Sequence, residues 1–218
     1  IDEDKRLDLV VAPIFGAEAK PPDFQQAPAR LRVFFPIPAD PKTGRWREFL
    51  GPERLVLHAI EVVHGQRPEH ILTADNQGVG LCLPGVIEDS GTYQLLILPA
   101  RTLVPGAAGT PPKRGCSEIH LGRFKDGRRL LATVEPWHGT EVVVYSGSIP
   151  DKMDFGPRTV IDNTLVEGHA LWVADIDGDG DDEVFAGHRG KDHRVAMYDF
   201  DGKDWKRTIL DTEIAAQD

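Results

Sequence analysis

The chain is short of the features that usually place a protein at once. Its 218 residues include only two cysteines, Cys82 and Cys116. Two thiols make no disulfide framework and leave the compartment open, with a secreted or periplasmic setting favoured. No stretch of eighteen apolar residues occurs, so no membrane-spanning helix is expected. The first residues, Ile1-Asp2-Glu3-Asp4-Lys5, contain no apolar signal core. Positive charge is in deficit: 25 Lys and Arg stand against 35 Asp and Glu, a net charge of −10. That balance argues against nucleic acid or an anionic membrane as the main partner and suits cations and neutral ligands. The basic pairs Lys113-Arg114 and Arg128-Arg129 are isolated in turns. Ser117 has no Gly-x-Ser-x-Gly setting, so a hydrolase nucleophile is not supported.

What the chain has is turns. Its 22 glycines and 17 prolines punctuate short Val/Leu/Ile runs, the pattern of an all-β chain. One turn stands out. Residues 175–183 read Asp-Ile-Asp-Gly-Asp-Gly-Asp-Asp-Glu, with Asp175, Asp177 and Asp179 at alternate positions, then Asp181 and Glu183. Calcium takes six to eight hard oxygen ligands, and alternate carboxylates in a tight loop turn inward to supply them. Gly178 and Gly180 permit the positive φ values such a wrap needs. Apolar runs flank the loop, Leu171–Ala174 before it and Val184–Ala186 after it, so it joins two strands. An EF-hand would need a bidentate Glu at its twelfth position, where Ala186 stands. A solvated acidic turn is the plain alternative.

The sequence also repeats itself. The segment from His169 to His188 has counterparts starting at His58 and Ser117, a period of about 50 to 60 residues. Val195–Tyr198 matches Val142–Tyr145 and, more loosely, Arg32–Phe35; Arg207–Asp211 matches Arg158–Asp162; Trp205 matches Trp46. Each unit holds four short strands separated by Gly/Asp/Pro turns, the signature of a propeller blade. The expected fold is an all-β propeller of about four blades, bounded near 1–55, 56–112, 113–165 and 166–213. The first blade lacks its first strand, and a new blade starts at 214–218. A seven-bladed ring would need roughly 350 residues, so further blades or domains are expected outside this segment. A closed four-bladed ring is the lesser alternative.

At the Asp-x-Asp-Gly-Asp-Gly-x-x-Glu loop the chain resembles the FG-GAP/VCBS class of β-propeller repeats. That resemblance implies a structural calcium held by Asp175, Asp177, Asp179, Asp181 and Glu183. The motif survives in part at Asp2, Asp4 and Asp8. It is lost at His64–Pro68 and Arg123–Gly127, where ordinary hydrogen bonds should hold the turns. A second run, Val134-Glu-Pro-Trp-His-Gly-Thr-Glu-Val-Val-Val-Tyr145, resembles the propeller domain of aldos-2-ulose (1,5-anhydrofructose) dehydratases. It implies a carbohydrate ligand and a lyase acting by β-elimination. No cupin pattern accompanies it here.

Propeller topology sorts the candidates. The starts of first strands and the loops between second and third strands share one end, away from the acidic loop. His58, His169, Glu135, Trp137, His138, His188 and Arg189 therefore gather where rigidly held loops bind ligands. Elimination on a sugar needs a base, a donor or cation for the enolate, and an acid. His138 or His188 is the expected base, with Arg189 the positive partner. Glu135, Trp137, His58 and His169 are the expected substrate contacts. A glycan- or protein-binding propeller without catalysis is the other reading, because the fold hosts both. His58 and His169 also have a structural reading, as strand caps at a repeated position, and His138 and His188 as exposed loop residues. Trp46 and Trp205 are expected to pack blades, Trp172 and His120 to line the inter-blade core or channel. Cys82 is expected to be a small buried hydrophobe. The proline-rich segments 21–28 and 36–42 are expected to be rim loops, and 105–112 an inter-blade connection.

Overall fold

The computed structural model describes residues 7–36, 46–64, 69–89, 92–97, 101–149 and 152–217. The described chain is all β, with no helix, and propeller-like. A three-stranded sheet comes first, from β1 (Leu9–Val11), β2 (Ala29–Pro36) and β3 (Trp46–Arg54). The second sheet joins β4 (Ala59–Val63), β5 (His70–Asp75) and β6 (Gly78–Cys82). A separate hairpin follows, β7 (Pro84–Asp89) with β8 (Thr92–Ile97), before β9 (Arg101–Val104) completes the second sheet. The third sheet is β10 (Glu118–Arg123), β11 (Arg129–Glu135), β12 (Glu141–Ser146) and β13 (Thr159–Asp162). The fourth is β14 (Gly168–Ala174), β15 (Glu183–His188), β16 (Arg194–Phe200) and β17 (Trp205–Asp211).

Every sheet is an antiparallel meander in chain order. The hairpin β7–β8 is the departure from the repeat, an insertion between the third and fourth strands of one unit. The first strands sit side by side, β4 against β10 and β10 against β14. The run of sheets is open among the described residues. The expected acidic pair Asp2 and Asp4 lies outside the described residues, as do 37–42 of the second proline-rich segment.

The sheets stack through both faces. Because successive side chains in a strand point to opposite sides, β11 gives Leu130, Ala132 and Val134 to one neighbour and Leu131 to the other. Strand β12 divides in the same way, Val142 and Val144 against Val143 and Tyr145. A third core joins the first two sheets through Leu31, Val33, Phe35, Leu57, Ile71 and Cys82. Both thiols are buried and unbridged, and burial pushes Cys82 up to about 11. Trp205 packs on Phe124 and Phe200 as the repeat predicts. Trp46 does not: it is 48% exposed, on the edge strand of the first sheet. Trp172 and His120, on adjacent first strands, meet at a tilt with ring centres 4.5 Å apart, and Trp172 is 61% exposed, so it is not part of an inter-blade core.

Buried carboxylates pin the last two sheets. Glu135 is fully buried and accepts hydrogen bonds from Thr133 Oγ1, Tyr145 OH and Arg158 Nε, each at 2.7 Å. The repeat partners Tyr198 and Arg207 hold Asp162 in the same manner, at 2.7 and 2.9 Å. Asp162 belongs to the preceding sheet, so this second clamp ties one sheet to the next. A buried charge is tolerated only when paired and hydrogen-bonded.

Buried carboxylates of this kind contribute to the pH dependence of stability. Burial pushes Asp162 up, but hydrogen bonds from Thr164, Tyr198 and Arg207 outweigh it and hold the carboxyl at about 2. An unfolded Asp titrates near 3.9, so this contribution is present above about pH 4 and lost as pH falls toward 2. Glu61 and Asp75 act in the opposite sense. Burial raises them to about 7 and about 6, against the hydrogen bond from Leu121 N and the charge of Arg54 respectively. Their contribution is complete below about pH 4 and lost as pH rises through 6 to 7. Urea midpoints from pH 2 to 8 should therefore peak on the acid side of neutrality. Asp162→Asn should flatten the acid limb, and Glu61→Gln the limb above pH 5.

Candidate functional site

The loops at one end are stitched together by backbone hydrogen bonds. The β1–β2 loop, residues 12–28, docks on the β3–β4 connection through Leu57 N to Ile14 O at 3.0 Å. It is also held by Asn76 Nδ2 to Gln25 Oε1 at 2.8 Å. The β11–β12 loop, 136–140, docks on the β13–β14 connection through Leu165 N to Thr140 O and Gly168 N to Gly139 O, at 3.1 and 2.9 Å. The tight turn of its own loop excludes a side chain at Gly139, and the docking crowds one at Gly168. A Cβ on Gly139 would lie 2.1 Å from the Glu135 carbonyl oxygen, and one on Gly168 would lie 3.0 Å from the Gly139 carbonyl oxygen.

This stitching brings three imidazoles together from three sheets. His58 precedes β4, His138 lies in the β11–β12 loop, and His169 lies at the start of β14. One ring nitrogen from each falls within 4.8 Å of the others. His58 Nε2 and His138 Nε2 are 2.9 Å apart, so one donates and the other accepts. His138 adopts φ 46°, a left-handed conformation, which turns its ring to within 4.7 Å of His169. On its far side His58 Nδ1 lies 2.9 Å from Glu118 Oε1, with both side chains nearly buried. Burial holds His138 down at about 3, helped by the charges of His58, His169, Arg189 and Lys113. It is therefore neutral at physiological pH.

An aromatic wall adjoins the imidazoles. Phe15 and Phe24 stack at 4.3 Å, and both meet Trp137 edge-on at 5.9 and 5.7 Å. Trp137 in turn leans on His138 at 4.8 Å. All three aromatic residues are half-buried. The two phenylalanines were not legible as site residues. Their only signal is that they sit in a long Pro-rich loop of the first unit, and their docking depends on Leu57 and Asn76 of another sheet.

Of the residues singled out from sequence, His58, His138, His169 and Trp137 meet here. Arg189 is near enough to act on His138 by its charge, and its guanidinium pairs with Glu167 at 3.2 Å. His188, paired with Gly168, turns its side chain inward: it is 1% exposed, with Nδ1 donating to Val166 O at 3.1 Å. Glu135 is the buried anchor described above. Its side chain looks into the sheet stack, not toward the three histidines.

No protein-family model matches the chain, and no curated protein matches it. A solved structure from Arthrobotrys oligospora, a triple arginine-to-alanine mutant of AofleA, matches over 96% of this chain. The identity is 12% and the TM-score 0.37, and this chain spans 61% of that one's length.

The acidic loop lies at the opposite end, between β14 and β15. Oxygens of Asp175, Asp177 and Glu183 fall within 4.8 Å of one another. Glu183 is 2% exposed; its Oε2 accepts from Ile176 N at 2.8 Å, and its Oε1 has no hydrogen-bond partner among the described residues. Burial raises its carboxyl above the usual range. Asp181 turns away, to Lys125 Nζ at 2.7 Å on the neighbouring sheet. Asp179 caps the turn by accepting from Asp181 N at 2.8 Å. The related turn at 123–128 is held by ordinary hydrogen bonds, Phe124 N to Arg128 O among them. No described helix is long and apolar enough to cross a membrane.

The aromatic wall predicts a measurable dependence. Phe24→Ala removes a stacked and an edge contact, each worth about 0.5–1.5 kcal/mol. The variant should unfold at lower urea and shift tryptophan emission to the red as Trp137 loses its cover.

Proposed function

We propose that this chain is the calcium-stabilised propeller portion of a carbohydrate-active protein, with the sugar seated at the histidine–aromatic mouth. The observation that carries the reading is the Phe15–Phe24–Trp137 wall set beside three imidazoles at the end where the loops converge. A sugar offers an apolar ring face and a rim of hydroxyls. Aromatic rings match the first by burial of apolar area, and imidazoles match the second as donors and acceptors. Rigid, stitched loops lower the ordering cost of binding.

Recognition is favoured over elimination. A general base works best with a pKa near the operating pH, and His138, at about 3, is far below it. His188, the other expected base, has its side chain buried against the Val166 carbonyl. In this reading His138 serves as a neutral hydrogen-bonding group, Trp137 as a ring face, and Arg189 as a positive charge suited to a uronic-acid carboxylate.

At the opposite end, Asp175, Asp177 and Glu183 are the proposed calcium ligands, with Asp181 contributing through its carbonyl. The orphaned, buried Glu183 Oε1 supports this, since a carboxylate oxygen so placed calls for a cation. The ion's role there is structural: it closes the β14–β15 loop against the neighbouring sheet, where Lys125 meets Asp181.

Two measurements test these statements. Chelation should lower the Tm, by a linkage of about a few kcal/mol at saturating calcium. Re-added calcium should restore it, and Asp177→Asn should abolish the shift; a Tm indifferent to calcium overturns the metal loop. For the sugar, the full natural protein is titrated with neutral and uronic-acid glycans, read by tryptophan fluorescence and by ultraviolet absorbance from any new carbon–carbon double bond. Saturable quenching, weakened at least about tenfold (1.4 kcal/mol) in Trp137→Ala and Phe24→Ala, is expected. Binding that survives both variants overturns the mouth as the site. Growing absorbance would replace recognition by elimination.

A further inference from the structure

We infer that the outer strands of the fourth sheet carry an oxyanion site, built by Arg194 and Arg207, that takes the carboxylate of an acidic sugar. The site shares no residue with the histidine–aromatic mouth, and it stands whether or not the mouth binds sugar.

The argument begins with a reversal of charge between two repeats. In the third sheet a guanidinium lies between two carboxylates: Arg158 Nε donates to Glu135 Oε2 at 2.7 Å, and its Nη2 donates to Glu141 Oε2. The fourth sheet repeats the guanidinium, as Arg207, but not both partners. Arg207 keeps one carboxylate, Asp162, at 2.9 Å. Glu141 pairs with Glu135 across β11 and β12, and Arg194 pairs with His188 across β15 and β16. Arg194 therefore occupies the register position of Glu141. A cation stands where the preceding unit has an anion.

Both guanidiniums converge on Thr164, in the β13–β14 connection. Arg194 Nη2 donates to Thr164 O at 3.0 Å and to Thr164 Oγ1. Arg207 Nη1 donates to the same Oγ1 at 3.0 Å. That hydroxyl gives its own proton to Asp162 Oδ1, so its donor and both its lone pairs are used. Asp162 is fully engaged as well, with Thr164 at one oxygen and Tyr198 and Arg207 at the other. Among the described residues Arg194 meets no carboxylate. Nε and Nη1 of Arg194, and Nε and Nη2 of Arg207, have no acceptor among them either. Two like charges drawn to one oxygen repel each other, and an anion placed between them turns that repulsion into attraction. A planar guanidinium fork matches the paired oxygens of a carboxylate.

The two arginines open onto a cavity of about 370 Å³, lined also by Asp192, His193, Ile209 and Thr212. That volume is in the range of small-molecule pockets. Its other walls select among anions. Ile209 offers apolar surface, while Thr212 and Asp192 offer acceptors for hydroxyl groups. His193 is turned aside to the Glu213 carbonyl, at 3.2 Å. With Asp162 and Asp192 beside two arginines, the cavity suits a monoanion that carries hydroxyls. A bare dianion such as sulfate would face both carboxylates with no hydroxyl to offer them.

The test uses the full natural protein in millimolar calcium, titrated with glucuronate, with its neutral methyl ester and with sulfate, and read by ligand-observed NMR. Glucuronate should bind saturably, at least about tenfold more tightly than either of the others, and more weakly as salt rises. Arg194→Glu restores the charge pattern of the third sheet. It should weaken glucuronate binding at least about tenfold while its Tm equals or exceeds the parent's, which separates loss of the site from loss of the fold. Should that variant fail to fold, Arg194→Gln decides: lost binding supports the site, and full retention overturns it. The inference is also overturned if glucuronate does not bind, or if sulfate or the methyl ester binds as tightly. Binding that survives Arg194→Glu and disappears in Trp137→Ala belongs to the mouth, and overturns it too.

Discussion

A sheet that is apolar on both faces cannot remain alone in water, and that constraint organises the molecule. The third sheet shows it most plainly. Leu130, Ala132 and Val134 face one neighbour, and Leu131, Val143 and Tyr145 face the other. Each sheet is thus half of two cores. Stability is a sum over interfaces between neighbours, as in other repeat architectures. The clamp of Tyr198 and Arg207 on Asp162 adds a polar fastening across one such interface.

The same stacking creates the site. Face-to-face packing brings the first strands side by side, and each arrives with its preceding connection at the same end. Residues more than a hundred positions apart in sequence, His58 and His169, come to share one point in space. Rigid sheets position them, and short hydrogen-bonded loops hold the third histidine between them. The two ends of the molecule then differ in chemistry. One gathers nitrogen donors and aromatic rings; the other presents hard carboxylate oxygens in a single loop.

Much of the fold could be read directly. Periodicity and turn chemistry identify the four-stranded units, and the recurring Tyr-Arg pairs, Tyr145 with Arg158 and Tyr198 with Arg207, follow from the alignment of one unit with the next. The inserted β7–β8 hairpin was hidden, because its short runs resemble the strands on either side. Trp46 was misleading: it occupies the repeat position of Trp205, yet the latter has Phe124 and Phe200 to pack on, while Trp46 stands exposed at an edge. Identical register does not guarantee an identical neighbour. For the site, topology placed His58, His138, His169 and Trp137 at one end. It placed His188 and Glu135 there too, since a strand end locates the backbone but not the direction of its side chain. His188 turns to the Val166 carbonyl, and Glu135 turns inward to Tyr145 and Arg158.

The strand content, the repeat, the end at which loops converge and the acidic loop are written in the chain, because they follow from local period, turn residues and ligand spacing within a few positions. Packing between sheets settles which histidines face one another, that Glu118 lies beside His58, that Phe15 and Phe24 reach Trp137, and that Asp181 leaves its loop for Lys125. Each of these is a contact between different sheets. Its geometry depends on packing angle, rotamer and a left-handed residue at His138, none of which is encoded in the spacing of residues along one strand.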